Sequence, residues 1–332
     1  PALRRRLAAG SHDPLALATR SILRRADEDI AHGVLVTALP RIAIEGVLPS
    51  DPRSRASEEG TRLLSALFGW ALCARLRDGD PARACGQRAV DAIVDWVGVY
   101  EPTGNPIDEA HLLPLVEAID LALPLLTAEQ KATTRRWLAR LLAAGDRHQA
   151  AKPVNAPSRS NNQEAWHLTL RAVAGRVLGD AARDAETATM MRRLLERNLD
   201  ADDGSSSDFH QRDAIHYHVY ALEAYTHVLL LAPDVVDGDG RRRILRSLQF
   251  LEPYYTGARR HLEFAHSTVP FDEARRADGA PAFQHRDWEP SQARRLLRLA
   301  RTQFPELRRW TGNVVDERYD PFLKFEAALF PP

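Results

Sequence analysis

Apolar residues recur at helical spacing along most of this chain. Leu15, Leu17, Ile22 and Leu23 begin one stripe, and Leu63, Leu64, Leu67, Trp70 and Leu72 form another that runs up to a turn at Asp78, Gly79 and Asp80. Pro81 suits the first turn of the next helix, which carries Val90, Ile93, Val94, Trp96 and Val97. Residues 112–126 and 128–142 follow, and Thr127 with Gln130 reads as a capping box for the second. Further helices are predicted over residues 163–178, 184–199, 211–231, 241–251 and 290–302.

Most breaks are short and rich in Gly, Asp and Pro, but residues 33–57 and 254–289 are long and irregular. Such segments inside a compact domain are usually functional or disordered. Strand signals are weak and confined to residues 34–37 and 261–264. About ten helices in hairpin succession, without alternating strands, predict an all-α fold. An open solenoid and a closed ring of helix pairs both fit. The lack of a fixed-period repeat favours an incomplete (α/α) toroid with a central cleft, formed by one domain over residues 1–332.

Hydrophobic residues make up 44% of the 332, enough for a sizeable core. Lys plus Arg and Asp plus Glu each total 45, which argues against a nucleic-acid partner recognised through bulk charge. A local basic cleft for a polyanion stays open, because steering depends on where charge sits. No apolar run approaches the roughly eighteen residues of a membrane span. The chain opens at Pro1 with no signal-like segment after it, so a mature exported protein and a trimmed one both fit; a periplasmic or secreted monomer is the expectation. Cys73 and Cys85 flank the turn at residues 77–81. A disulfide across that hairpin, which suits an exported protein, and two buried free thiols both fit.

Polar chemistry concentrates in two places. His210, Arg212, His216, Tyr217 and His218 lie between an acidic turn and an apolar helix. If residues 211–231 form one helix, Tyr217 shares a face with Asp213, and with His210 if the helix starts early. Arg212 and His216 then share a neighbouring face, and His218 points about 100° away from Tyr217. A buried helix seldom tolerates so many polar groups without partners. Arg212 can also form a plain salt bridge to Asp208 or Asp213, and Tyr217 can be an ordinary core tyrosine. The second place is Arg159, Asn161, Asn162 and Gln163, followed by Trp166 and His167. These amides can cap the next helix or face a cleft and hold a carboxylate. Trp166 can stack on a sugar or pack in the core. Arg147, Lys152, Arg159, Arg259, Arg260, Arg275, Arg276 and Arg286 lie in or near irregular segments, where they can line a polyanion groove or stay solvated.

No metal and no cofactor are expected. His216 and His218 are two apart, so they do not converge on one ion from a helix. The chain has no zinc-protease, calcium-loop, phosphate-loop, nucleophile-elbow or dinucleotide motif.

Three blocks resemble the alginate lyase superfamily, which includes mannuronate-specific alginate lyases and lyases of other polyuronates such as glucuronan. Residues 160–166 are similar to the family's Asn-Asn-His block, and residues 212–222 look like its catalytic tyrosine segment. Residues 261–267, with Trp288 to Pro290 and residues 296–305, are like its C-terminal part. The resemblance covers residues 155–310, and the N-terminal half matches only in helical character. It implies an incomplete toroid of α-hairpins and an acidic polysaccharide as substrate. It also implies syn β-elimination from a β-1,4-linked polyuronate, glucuronan or mannuronate-rich alginate. Tyr217 would be acid and base, Asn162 would hold the substrate carboxylate, and Arg212 would support either. Gln163 stands where many relatives have histidine, and glutamine cannot titrate. Either Tyr217 then does all the proton work, or His210, His216 or His167 substitutes. Asn161, Trp166, His167, His218, Tyr220, Arg159 and His261 would contact the sugar. The Tyr217 hydroxyl must fall below its ordinary pKa of about 10, and Arg212 with nearby imidazolium groups would lower it.

Two other classes remain. A glycoside hydrolase needs two carboxylates across the cleft. Glu164, Asp203, Asp208, Asp213 and Glu263 are available, but no spacing singles out a pair. A non-catalytic helical scaffold explains the helices but not the concentration of Tyr, His, Arg and Asn.

Overall fold

The computed structural model of the protein describes residues 14–311, together with Arg4 and Leu7. Among the described residues every regular element is a helix, and β-pairing is limited to isolated bridges, Leu199 with Ser206 and Leu262 with Asp287. The principal α-helices are α1 (Pro14–Ala31), α2 (Pro52–Arg62), α3 (Leu64–Leu76), α4 (Gly79–Val99), α5 (Pro106–Ala110), α6 (Leu113–Ala122), α7 (Ala128–Ala151) and α8 (Asn162–Leu178). They continue as α9 (Ala181–Asn198), α10 (Ser207–Arg212), α11 (Ile215–Leu231), α12 (Gly238–Phe250), α13 (Glu252–Tyr255), α14 (Pro270–Ala277), α15 (Arg294–Gln303) and α16 (Arg308–Thr311).

Sequence sorts these helices into two rows. α3, α6, α8 and α11 carry buried residues on nearly every face, as expected of helices wrapped by others. They pack in succession, α3 on α6, α6 on α8 and α8 on α11. Helices with an exposed face cover them: α4 lies on α3, α7 and α9 on α8, and α12 on α11. Two apolar cores result. One is built around Trp70, Trp96 and Trp137, the other around Leu168, Leu222, Tyr225 and Leu296. α8 joins them, giving Leu170, Val173 and Ala174 to the first and Ala165, Leu168 and Ala172 to the second.

The capping box predicted at Thr127 and Gln130 is present, but its helix runs on to Ala151. Cys73 and Cys85 form a disulfide across the α3–α4 turn. Neither strand candidate forms a strand: residues 34–37 are irregular, and Leu262 makes one bridge. The irregular stretch 254–289 contains α14, which is too short for periodicity to stand out.

The largest departure concerns residues 211–231. The predicted single helix is broken between α10 and α11, where Asp213 takes the left-handed conformation at φ 47°. Aspartate tolerates that region better than most residues. The segment after residue 260 locks it there. The Phe264 amide donates to the Asp213 carbonyl at 2.8 Å, and the His266 amide donates to its carboxylate at 2.9 Å. The helical-wheel faces expected for His210, Arg212, Asp213 and Tyr217 therefore do not apply.

Candidate active site

Tyr217 is the third residue of α11, and a remote carboxylate fixes the start of that helix. Glu263 accepts from the Ile215 and His216 amides at 2.8 and 3.1 Å, taking two of the donors that a helix N-terminus leaves unpaired. Burial raises the Glu263 carboxyl to about 7.

The Tyr217 hydroxyl accepts from Arg275 Nη1 at 3.1 Å. The Arg212 guanidinium covers its ring, 3.9 Å from the centroid. Phe264, Phe283, Tyr220 and His216 meet the same ring edge-on. Each arginine is matched by a carboxylate. Arg212 pairs with Asp272, which also accepts from Ser267 Oγ at 2.7 Å. Arg275 pairs with Glu45 at 3.3 Å. Gln163 joins from α8, its Nε2 donating to Glu45 at 3.4 Å and its Oε1 accepting from Lys152 Nζ at 2.9 Å. A chain of contacts thus runs from Lys152 through Gln163, Glu45 and Arg275 to Tyr217.

The electrostatics reverse one expectation. Burial pushes the Tyr217 hydroxyl up to about 12; Arg212 and Arg275 pull against that, while Asp272 and Glu45 add to it. The His216 imidazole beside it is no help as a cation, because burial and the Arg212 charge depress it to about 4. Burial also lowers Lys152 to about 8.

The sequence candidates separate into two groups. Arg212, His216 and Tyr220 meet the Tyr217 ring directly, and Gln163 is linked to it through Glu45 and Arg275. The others are engaged elsewhere. Asn162 is buried, and both its amide side chain and its backbone N–H donate to Asp208. Burial raises that carboxyl to about 6. Asn161 caps α8 by accepting from the Gln163 amide at 3.0 Å. His210 is exposed and bonds Ser205 at 2.8 Å, so it is not among the groups on Tyr217. His218 is fully buried, with one ring nitrogen on Ser206 and the other on the Ser247 carbonyl. His167 sits between Asp146 and Glu164. Arg159 donates to the carbonyls of Ala150, Lys152 and Pro153, closing the end of α7. His261 bonds the Asp213 carbonyl at 3.0 Å and so supports the α10–α11 turn.

Trp166 is buried against Tyr220 and His227, at ring separations of 5.3 and 5.8 Å. It lines a cavity of about 320 Å³ with Tyr220, His111, Glu223, His227 and Arg295. Tyr220 links this cavity to the phenol, its ring lying 6.5 Å from that of Tyr217. No cluster of His, Cys, Asp and Glu among the described residues has the form of a metal site.

Glu45 and Asp272 escaped the sequence reading, and Arg275 and Lys152 entered it only as groove cations. The available signal was segment length: Glu45 lies in the first long irregular stretch, Asp272 and Arg275 in the second.

No curated protein matches the chain. The family model described as alginate lyase matches residues 8–261. The match therefore includes the N-terminal half, where the sequence showed only helical character, and stops before most of the third block of resemblance. With most of its length matched, this chain belongs to the alginate lyase family.

Proposed function

We propose that the protein cleaves a β-1,4-linked polyuronate, glucuronan or mannuronate-rich alginate, by syn β-elimination with Tyr217 as acid and base. Family membership implies a polysaccharide lyase and a polysaccharide substrate. The observation that carries the finer reading is the pair of guanidinium groups on one buried phenol, Arg275 on the hydroxyl and Arg212 on the ring face. Two cations stabilise the phenolate that must form.

In this reading the uronate carboxylate takes hydrogen bonds from Gln163 and Arg275. Tyr217, as phenolate, removes the C5 proton, and the charge that develops spreads onto the carboxylate. Each well-placed donor there contributes a few kcal/mol. The C4–oxygen bond then breaks as the C4–C5 double bond forms, and the Tyr217 hydroxyl returns its proton to the leaving oxygen. In β-linked mannuronate and glucuronate the C5 proton and the 4-oxygen lie on one side, so a single group serves both steps. The two sugars differ at C2, away from the bonds that change, so these residues treat them alike.

The succession of α3, α6, α8 and α11 under an outer row supports an incomplete toroid of hairpins in one domain. The Cys73–Cys85 disulfide supports a periplasmic or secreted location. Asn162 enters this scheme through Asp208, as a support for the junction of α8 and α10.

Product mass tests the reading. Elimination gives an unsaturated end, one water lighter than the hydrolysis product. Saturated products would point to a hydrolase, and no cleavage of any polyuronate to a binding scaffold.

A further inference from the structure

Glu45 occupies the position that the elimination assigns to a substrate carboxylate. One of its oxygens accepts from Gln163 Nε2 at 3.4 Å and the other from Arg275 Nη2 at 3.3 Å. The same guanidinium reaches the Tyr217 hydroxyl through Nη1. An amide, a guanidinium and a phenol thus surround a carboxylate that belongs to the protein itself.

The backbone beneath Glu45 is pinned. The Ile44 and Glu45 amides donate to Asp108 Oδ1 at 2.9 and 2.8 Å, and the Ala43 amide donates to Ser57 Oγ at 2.9 Å. The Glu45 side chain is nevertheless 25% exposed, whereas that of Arg275 is 8% exposed. The carboxylate can therefore leave by rotating about its own side-chain bonds, with no movement of the segment. Arg275 is held by the Tyr217 hydroxyl and the rings of Phe271 and Phe283, and a buried cation left without an anion is costly.

We propose that Glu45 is a built-in stand-in for the substrate carboxylate, displaced by the uronate when it binds. It holds Arg275 and Gln163 in place in the free protein. It also makes the site selective for charged sugars, because a neutral sugar that displaced it would leave Arg275 unpaired. This rests on the lyase reading above.

The test uses the full chain and the polyuronate that the wild type cleaves, with free glucuronate and glucose as inhibitors. Glu45→Gln keeps the shape and removes the competing charge. It is expected to lower KM about three- to tenfold, with a parallel gain in inhibition by glucuronate and none by glucose. Glu45→Asp keeps the charge but reaches less far, and a smaller fall in KM is expected. It decides the matter if Glu45→Gln does not fold. An unchanged or higher KM in the variants, with wild-type cleavage intact, would overturn the inference alone. A fall in kcat without a fall in KM would do the same, making Glu45 only a support for Arg275. Absence of cleavage by the wild type would overturn the lyase reading and this inference together.

Discussion

The Arg212 guanidinium lies 3.9 Å from the centroid of the Tyr217 ring, across a left-handed turn at Asp213 that separates the helices carrying them. A continuous helix would have set these residues on different faces. The turn folds α10 back so that the cation covers the phenol. Arg275 completes the arrangement from α14.

With Tyr217 as the proposed base, activity should respond to pH through its phenolate. With the Tyr217 hydroxyl at about 12 in the free protein, its phenolate fraction rises as pH rises through neutrality. We therefore expect kcat/KM to climb from about pH 6 to about pH 9. Arg275→Ala removes a cation that holds the hydroxyl down, so the rise should move to higher pH. The same change should lower kcat/KM by roughly 10²–10³-fold. A flat pH profile in the wild type would contradict Tyr217 as base.

Asn162 gives a separable prediction. Its side chain donates to the fully buried Asp208, whose second oxygen has no hydrogen-bond partner in the protein. Asn162→Ala takes a donor from a buried carboxylate and should cost about 1–3 kcal/mol of stability by denaturant unfolding. Asn162→Ala in an Asp208→Asn background should cost less, because no buried charge is then left behind. If Asn162→Ala lowered activity without lowering stability, Asn162 would be a substrate ligand instead.

How far the sequence reached depended on the kind of contact involved. Helix type followed from apolar spacing because burial of one face or all faces is a local property of each segment, as α3 and α11 illustrate. The Thr127–Gln130 cap was legible for the same reason. Arg212 and Tyr217 are close in sequence, but the single helix that the spacing predicts does not give their geometry. The break at Asp213 is imposed by Phe264 and His266, about fifty residues downstream. Glu45 reaches Gln163 and Arg275 across 118 and 230 positions, and no spacing pattern records such a pairing. His218 lies in a histidine-rich stretch, but its partners are Ser206, the N-cap of α10, and the Ser247 carbonyl in α12.

That core histidine makes stability depend on pH. Burial depresses His218 from 6.5 to about 4, so the folded chain keeps it neutral where the unfolded chain binds a proton. Its contribution is fully present above about pH 6.5 and is lost as pH falls toward 4. The expected slope from this one group is at most about 1.4 kcal/mol per pH unit. His218→Gln should flatten the fall in Tm over that window by one proton's worth. An equally steep fall in the variant would assign the effect to other groups.

The Cys73–Cys85 link closes a separation of 12 residues between α3 and α4, away from the Tyr217 cluster. Replacing both cysteines by serine should cost about 2–3 kcal/mol of stability. Calorimetry before and after reduction of the wild type checks this directly, and a Tm that reduction does not change would contradict it.

β-Elimination on a uronate with Tyr217 as acid and base leaves a chromophore in the product. The most direct measurement is ultraviolet absorbance of the unsaturated product during incubation with polymannuronate, polyguluronate and glucuronan in separate reactions, for the wild type and Tyr217→Phe. The expected result is a rise on polymannuronate or glucuronan that falls by at least about 10²-fold in the variant. A rise of equal rate in Tyr217→Phe, or a rise on polyguluronate alone, would contradict syn elimination by Tyr217.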